Sequence, residues 1–226
     1  MLKKVSIFLL MGAIALTATA CVDNKKVITT QENAENKIIS DEFMYDSIFK
    51  NSLFVGDSIT EGFFNQELID DTKVIADKGK ITVIALETDV DDVVAKNPDH
   101  VFMNFGINDL LIRMDLDGKP VNDPIQFSID HYSAFIQKIK KELPSAHIHI
   151  LSVTPVTEEA LQEYPQYKHI DAYNTKLQAL AITEEVEFID LSSIFEKRSD
   201  LHVEDGVHFK TDFYKLLLEQ LKTFVQ

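Results

Sequence analysis

Short apolar runs separated by amphipathic helical stretches constrain this chain more than any other feature. The runs are Leu53-Phe54-Val55, Lys73-Val74-Ile75-Ala76, Val101-Phe102-Met103-Asn104-Phe105, Ile148-His149-Ile150-Leu151-Ser152-Val153 and Val186-Glu187-Phe188-Ile189. Their length and β-branched content suit strands buried on both faces. Between them, Ile129, Tyr132, Ile136, Ile139 and Leu143 step by three and four, and Pro144 closes that segment. Ile170, Tyr173, Leu177 and Leu180 repeat the pattern, as do Phe213, Leu217, Leu221 and Phe224. A further helix is expected over 41–50, and Asp89, Asp91 and Asp92 suit the first turn of another, where the helix dipole favours them. Strand–helix alternation predicts an α/β fold with a mostly parallel sheet of about five strands and helices on both faces.

The chain has 226 residues, enough for one core, since domains run roughly 100–200 residues. Its 22 basic and 37 acidic residues leave a formal charge of −15, which makes it a poor polyanion binder and argues against a nucleic-acid partner. One cysteine excludes an intramolecular disulfide and a Cys-rich zinc site. No Walker loop and no GxGxxG are present, so nucleotide binding has no support.

The N-terminus reads as an address. Residues 1–20 have the form of a signal peptide: Lys3 and Lys4, an apolar run from Val5 to Leu16, then Thr17-Ala18-Thr19-Ala20. The single cysteine, Cys21, follows directly. This arrangement resembles the lipobox of bacterial lipoproteins, with Ala18 where that motif favours Leu, and the resemblance implies a lipidated Cys21 as the mature N-terminus. Ordinary secretion is the alternative. Residues 22–40 are polar and lack aromatics, and they suit a tether of about 24 Å r.m.s. span for a flexible coil. Cleavage would remove Lys3 and Lys4 and leave 20 − 37 = −17. A chain of that charge is repelled by anionic lipid, so a covalent anchor suits it better than adsorption. The expected organisation is therefore 1–20 signal peptide, 21–40 lipidated cysteine and tether, and 41–226 a single domain on the outer face of the cytoplasmic membrane.

In a parallel sheet, ligands sit at the carboxyl ends of the strands. Gly56-Asp57-Ser58-Ile59-Thr60 follows the first strand, Asp77-Lys78-Gly79 the second and Gly106-Ile107-Asn108-Asp109 the third. Asp205-Gly206-Val207-His208 precedes the last helix. Ester hydrolysis needs a nucleophile, a base and donors for the oxyanion. Ser58 on a tight strand-to-helix turn can be the nucleophile, with its own N–H, that of Gly79 and the Asn108 amide as donors. His208 can take the proton and Asp205 orient the ring. Singly, each has a plainer reading: Ser58 a helix cap, Asn108-Asp109 and Asp205-Gly206 turns, His208 a surface residue. Asp190 is a conceivable rival to Asp205.

Together the blocks resemble the SGNH/GDSL hydrolase family. FVGDSIT matches its first block, FGIND its Gly-x-Asn-Asp block and DGVHF its Asp-x-x-His block, in the family's order, over roughly residues 52–212. The resemblance implies a three-layer α/β/α, flavodoxin-like fold and an open site without cofactor or metal. It implies Ser58, Asp205 and His208 as the triad, and Ser58, Gly79 and Asn108 as the oxyanion hole. The activity implied is hydrolysis of esters, including acetyl groups on carbohydrate, and the protein is expected to act as a monomer.

Two stretches following strand ends, 111–125 and 154–168, are expected to overhang the site. They offer Arg113, Tyr164 and Tyr167 as substrate contacts, though each also suits an ordinary loop residue. His147 and His149 alternate on one strand face without the further ligands a metal set needs. Asp115-Leu116-Asp117-Gly118 lacks the closing Glu of a calcium loop and reads as solvated. The favoured function is a short-acyl esterase. The alternatives are a lipase, lysophospholipase or thioesterase for longer chains, an O-acetyltransferase on the same triad, and a non-catalytic binding lipoprotein.

Overall fold

Five parallel strands form one sheet in the order β2-β1-β3-β4-β5. The computed structural model describes residues 44–196 and 198–225. The strands are β1 (Ser52–Gly56), β2 (Val74–Ala76), β3 (His100–Asn104), β4 (His147–Leu151) and β5 (Glu187–Ile189). Every predicted run thus becomes a strand. Parallel neighbours need crossover connections between the strands, and the chain supplies helices α1 (Ser58–Asn65), α2 (Thr82–Thr88), α3 (Val90–Lys96), α4 (Pro124–Glu142), α5 (Glu158–Glu163), α6 (Ile170–Glu184), α7 (Ser192–Phe195) and α8 (Thr211–Leu221). The result is a three-layer α/β/α domain of the flavodoxin-like order. Residues 1–40, with the expected signal peptide, Cys21 and tether, lie outside the described residues, as does the start of the helix expected over 41–50. Residues 44–48 of that segment are helical.

The longest helix shows how local signals fix an element. Asp123 caps α4 by accepting from Gln126 N at 3.0 Å, and Pro124 opens it where its missing N–H costs nothing. Lys140 and Lys141 occupy the last turn, beside the negative end of the dipole. Its apolar stripe (Ile129, Tyr132, Ile136, Ile139) is buried, and Tyr132 OH donates to Met103 O at 3.1 Å, which pins α4 to β3.

The opposite sheet face carries an aromatic ladder. Phe54 on β1 and Phe102 on β3 are register partners with centroids 5.3 Å apart. Phe49 and Phe63 pack on Phe54 at 5.4 and 4.5 Å, and Tyr214 of α8 meets Phe63 edge-on at 5.5 Å. The ladder continues into histidine: His149 stacks on Phe102 at 4.6 Å, and its Nε2 lies 3.0 Å from His100 Nδ1. His147 is the exposed first residue of β4, whereas His149 is buried beneath Phe224. Among the described residues, no group of three His, Cys, Asp or Glu is placed to hold a metal ion.

This buried histidine makes stability depend on pH. Burial first, then the neighbouring His100 and His147, push the His149 pKa down to about 4 from 6.5. Glu187 Oε2 lies 3.2 Å from Nδ1 without forming an aligned hydrogen bond. The unfolded chain takes this proton near 6.5 and the folded chain only near 4. The stabilisation is therefore complete above that upper value and disappears as pH falls through the window. The loss is about 3 kcal/mol. Urea unfolding between pH 4 and 7.5 should show this loss, and His149→Phe should flatten that part of the profile. An unchanged slope in the variant would assign the dependence to other groups.

Candidate active site

The order of the sheet reverses between β1 and β3, and the crevice at the carboxyl ends of these two strands is where this topology places ligands. The chain leaves β1 at Gly56 and enters α1 at once. A Cβ at Gly56 would lie 2.1 Å from Thr60 Oγ1 and 2.5 Å from Asn104 O, so only glycine lets the first helical turn close this tightly over β3. Asp57, not Ser58, is the cap: its Oδ1 accepts from Ile59 N at 2.9 Å. Ser58 is the first helical residue, so its backbone N–H belongs to the unpaired set at the positive end of α1.

Although 150 residues separate them in the chain, Ser58 and His208 meet: Ser58 Oγ and His208 Nε2 are 2.8 Å apart. His208 Nδ1 lies 2.7 Å from Asp205 Oδ2. The other Asp205 oxygen accepts from the backbone N–H groups of Val207 and His208, both at 2.9 Å, so the carboxylate is locked in its turn. Burial tends to raise the Asp205 pKa. The N–H bonds from His208 and Val207 and the imidazole outweigh it and hold the carboxyl below its usual range. Asp190, the rival acid, instead accepts from Ser192 N at 2.9 Å, one residue ahead of the Leu191 that precedes the short α7.

Asn108 stands in the loop beyond β3, just ahead of a 3-10 turn at Asp109–Leu111. Its Nδ2 donates to Asp57 Oδ2 at 3.1 Å and to Lys80 O at 3.3 Å, so both amide hydrogens are engaged. Gly79 precedes Lys80 in an exposed turn at φ 71°. The sequence reading missed Asp57 as a working part of the site. Burial pushes its carboxyl up to about 7 despite the Ile59 N–H, with the charge of Asp109 adding and the Asn108 amide opposing. Asp109 is fully buried and accepts on Oδ1 from Thr82 N (3.0 Å), Thr82 Oγ1 (2.6 Å) and Ser128 Oγ (2.7 Å). Its pKa is raised by burial against those bonds. Tyr173 OH lies 2.5 Å from Ser128 Oγ, so α2, α4 and α6 are all tied beneath the Asn108 turn.

The two expected overhanging stretches differ in use. Within 154–168, residues 158–163 form α5, and the start of the stretch braces the His208 turn. Thr157 N donates to Gly206 O at 3.0 Å, and His202 Nε2 lies 2.9 Å from Pro155 O. Tyr164 is 40% exposed and available to a ligand, whereas Tyr167 is 6% exposed and packs against it at 5.6 Å. Stretch 111–125 folds back on itself through Asp115 N to Lys119 O at 2.9 Å, with Arg113 exposed on it. Asp115 Oδ1 caps the tip by accepting from Asp117 N and Lys119 N.

A model of the GDSL-like lipase/acylhydrolase family matches residues 54–216. Among solved structures, a GDSL-like lipase from Bacteroides thetaiotaomicron is 17% identical, with 87% of this chain and 96% of that chain covered and a TM-score of 0.61. A lipase/acylhydrolase from Enterococcus faecalis is 19% identical over 78% and 97%, TM-score 0.57. An acetylxylan esterase from Geobacillus stearothermophilus, solved as a catalytic mutant, is 17% identical over 77% and 93%, TM-score 0.56. At these identities the likeness speaks for the fold. No curated protein matches the chain.

The brace on the His208 turn can be tested. Gly206 has φ 70°, and a Cβ there would lie 2.1 Å from Thr157 Oγ1. Gly206→Ala should therefore cost about 1–3 kcal/mol of stability and lower esterase turnover at least about tenfold through the displaced imidazole. Unfolding and kinetics equal to wild type would show that the turn is not held as described.

Proposed function

We propose that this chain, which belongs to the GDSL-like lipase/acylhydrolase family and is a serine ester hydrolase, cleaves short acyl esters through an acyl-enzyme on Ser58. The observation that carries the reading is the continuous line from Ser58 Oγ to His208 Nε2 at 2.8 Å and from His208 Nδ1 to Asp205 Oδ2 at 2.7 Å. With Nδ1–H donated to Asp205, Nε2 is left as the acceptor for the serine proton. As Oγ attacks the ester carbonyl, its proton passes to Nε2, and the imidazolium forms against an ionised carboxylate. The carbonyl oxygen becomes an oxyanion facing the Ser58 N–H, the Gly79 N–H and the Asn108 amide. Of the two bonds that engage Asn108 Nδ2, the 3.3 Å one to Lys80 O is the longer and the one the oxyanion draws away. His208 then protonates the departing alkoxide. Water, deprotonated by the same nitrogen, releases the acid.

The preferred substrate is O-acetyl on carbohydrate. An acetylxylan esterase shares the fold, and two acidic residues of the exposed triad edge, Asp205 and the adjacent Glu204, disfavour anionic lipid headgroups. The mature protein is held on the outer face of the cytoplasmic membrane by lipid on Cys21, with residues 22–40 as tether. This part of the reading rests on the sequence.

Hydrolysis of p-nitrophenyl acetate should fall by about 10⁴-fold or more in Ser58→Ala and by up to about 10⁴-fold in Asp205→Asn. Equal rates in wild type and Ser58→Ala would overturn the mechanism. Across p-nitrophenyl esters of rising chain length, kcat/KM should fall beyond butyrate. A maximum at eight carbons or more would instead favour the long-chain reading.

A further inference from the structure

The loop between β2 and α2 holds a buried cation that these steps do not use. Lys80 is 7% exposed. Its Nζ lies 2.8 and 2.9 Å from the two carboxylate oxygens of Asp89 and 2.6 Å from Asp77 Oδ2. Asp89 stands at a helix N-terminus as expected, as the N-cap residue of α3; it is buried at the junction with α2 and also accepts from Thr88 Oγ1 at 2.6 Å. Burial disfavours the ammonium, yet the bonds to Asp77 and Asp89 outweigh it and hold the lysine above its ordinary range. A buried ion pair adds little net stability but is costly to break, so its value lies in the geometry it enforces.

The main chain of the same residue reaches the site. Lys80 O accepts from Asn108 Nδ2 at 3.3 Å, and the other hydrogen of that amide goes to Asp57, beside Ser58. Gly79 precedes Lys80 in an open turn, where an added Cβ would meet nothing within 4 Å. Beside the loop lies a surface hollow of about 470 Å³, bounded by Ile75, Asp77, Lys80, Ile84 and Asp89. Packing fixes little at Gly79 itself; its turn is held by Lys80 N donating to Asp77 O at 3.2 Å and by the Lys80 side-chain anchor, ahead of the buried Thr82.

We infer that Lys80 is a positioning residue for the oxyanion side of the site. Its ammonium, clamped by Asp89 and Asp77, fixes the loop that carries Gly79 and orients the Asn108 amide through the Lys80 carbonyl. The inference rests on the acyl-enzyme reading above. A carbonyl fixed in place lets the amide release one hydrogen to the oxyanion without losing its aim. A loose one would leave the amide and the Gly79 N–H poorly aimed before the oxyanion takes that hydrogen over.

The test is steady-state hydrolysis of p-nitrophenyl acetate, with thermal unfolding, by wild type, Ser58→Ala, Lys80→Met/Asp89→Asn, Lys80→Arg and Asp77→Asn. The double variant removes both buried charges together, so neither is left unpaired. Its kcat should fall about 10- to 100-fold with KM within about threefold of wild type, short of the full loss of an oxyanion donor. Lys80→Arg should recover most of that kcat, since it restores the bonds to Asp89. Asp77→Asn alters an exposed carboxylate, leaves the core intact and should lower kcat severalfold. A purely structural role would lower Tm and leave the kcat of the folded protein unmoved. A kcat equal to wild type in whichever of the double variant and Asp77→Asn folds overturns the inference. A wild type no faster than Ser58→Ala overturns the acyl-enzyme reading first, and this inference with it.

Discussion

Asp57 joins the two strands at which the sheet changes direction. One carboxyl oxygen closes the first turn of α1, and the other takes the Asn108 amide from the loop beyond β3. The nucleophile's helix and the third strand are thereby referenced to a single buried group, which is 1% exposed. The second buried carboxyl, Asp109, does the same one layer down, where it gathers Thr82 and Ser128 on α2 and α4. The half-exposed His208 turn needs a separate brace, which the Thr157–Gly206 contact provides.

The acids around the site are pushed in opposite directions by their surroundings. Asp205 keeps access to water and collects three N–H donors, counting the imidazole, so it stays ionised to face an imidazolium. Asp57 and Asp109 are cut off from water: burial, with the charge of Asp109 adding, pushes the Asp57 carboxyl up to about 7, and burial raises Asp109 as well. Carboxyls of one chemical type are thus shifted in opposite directions by burial on one side of the site and N–H donors on the other.

The strands, the long helices and the residues at the strand ends were legible in the sequence because each depends on short-range regularity. Phe54, Phe102 and Ile150 sit in apolar runs, and Ile129, Tyr132 and Ile136 keep helical spacing. The contacts that set the site in place have no such period. Lys80 meets Asp89 around a whole helix, and Asn108 reaches back 51 residues to Asp57. The six residues of α5 span fewer than two turns, too short for an apolar stripe to declare itself, so 154–168 reads as loop. Tyr167 looked available for substrate because nothing local shows that its ring is covered. The cap was displaced by one position because Asp57 and Ser58 both suit it, and tertiary burial decided for the acid.

The sheet is finished at both margins by its shortest members, β2 and β5, with three residues each. A margin that short exposes few free amides and carbonyls for a neighbouring molecule to pair with. Two copies meeting edge to edge therefore have little means of zipping these strands into a continuous ribbon.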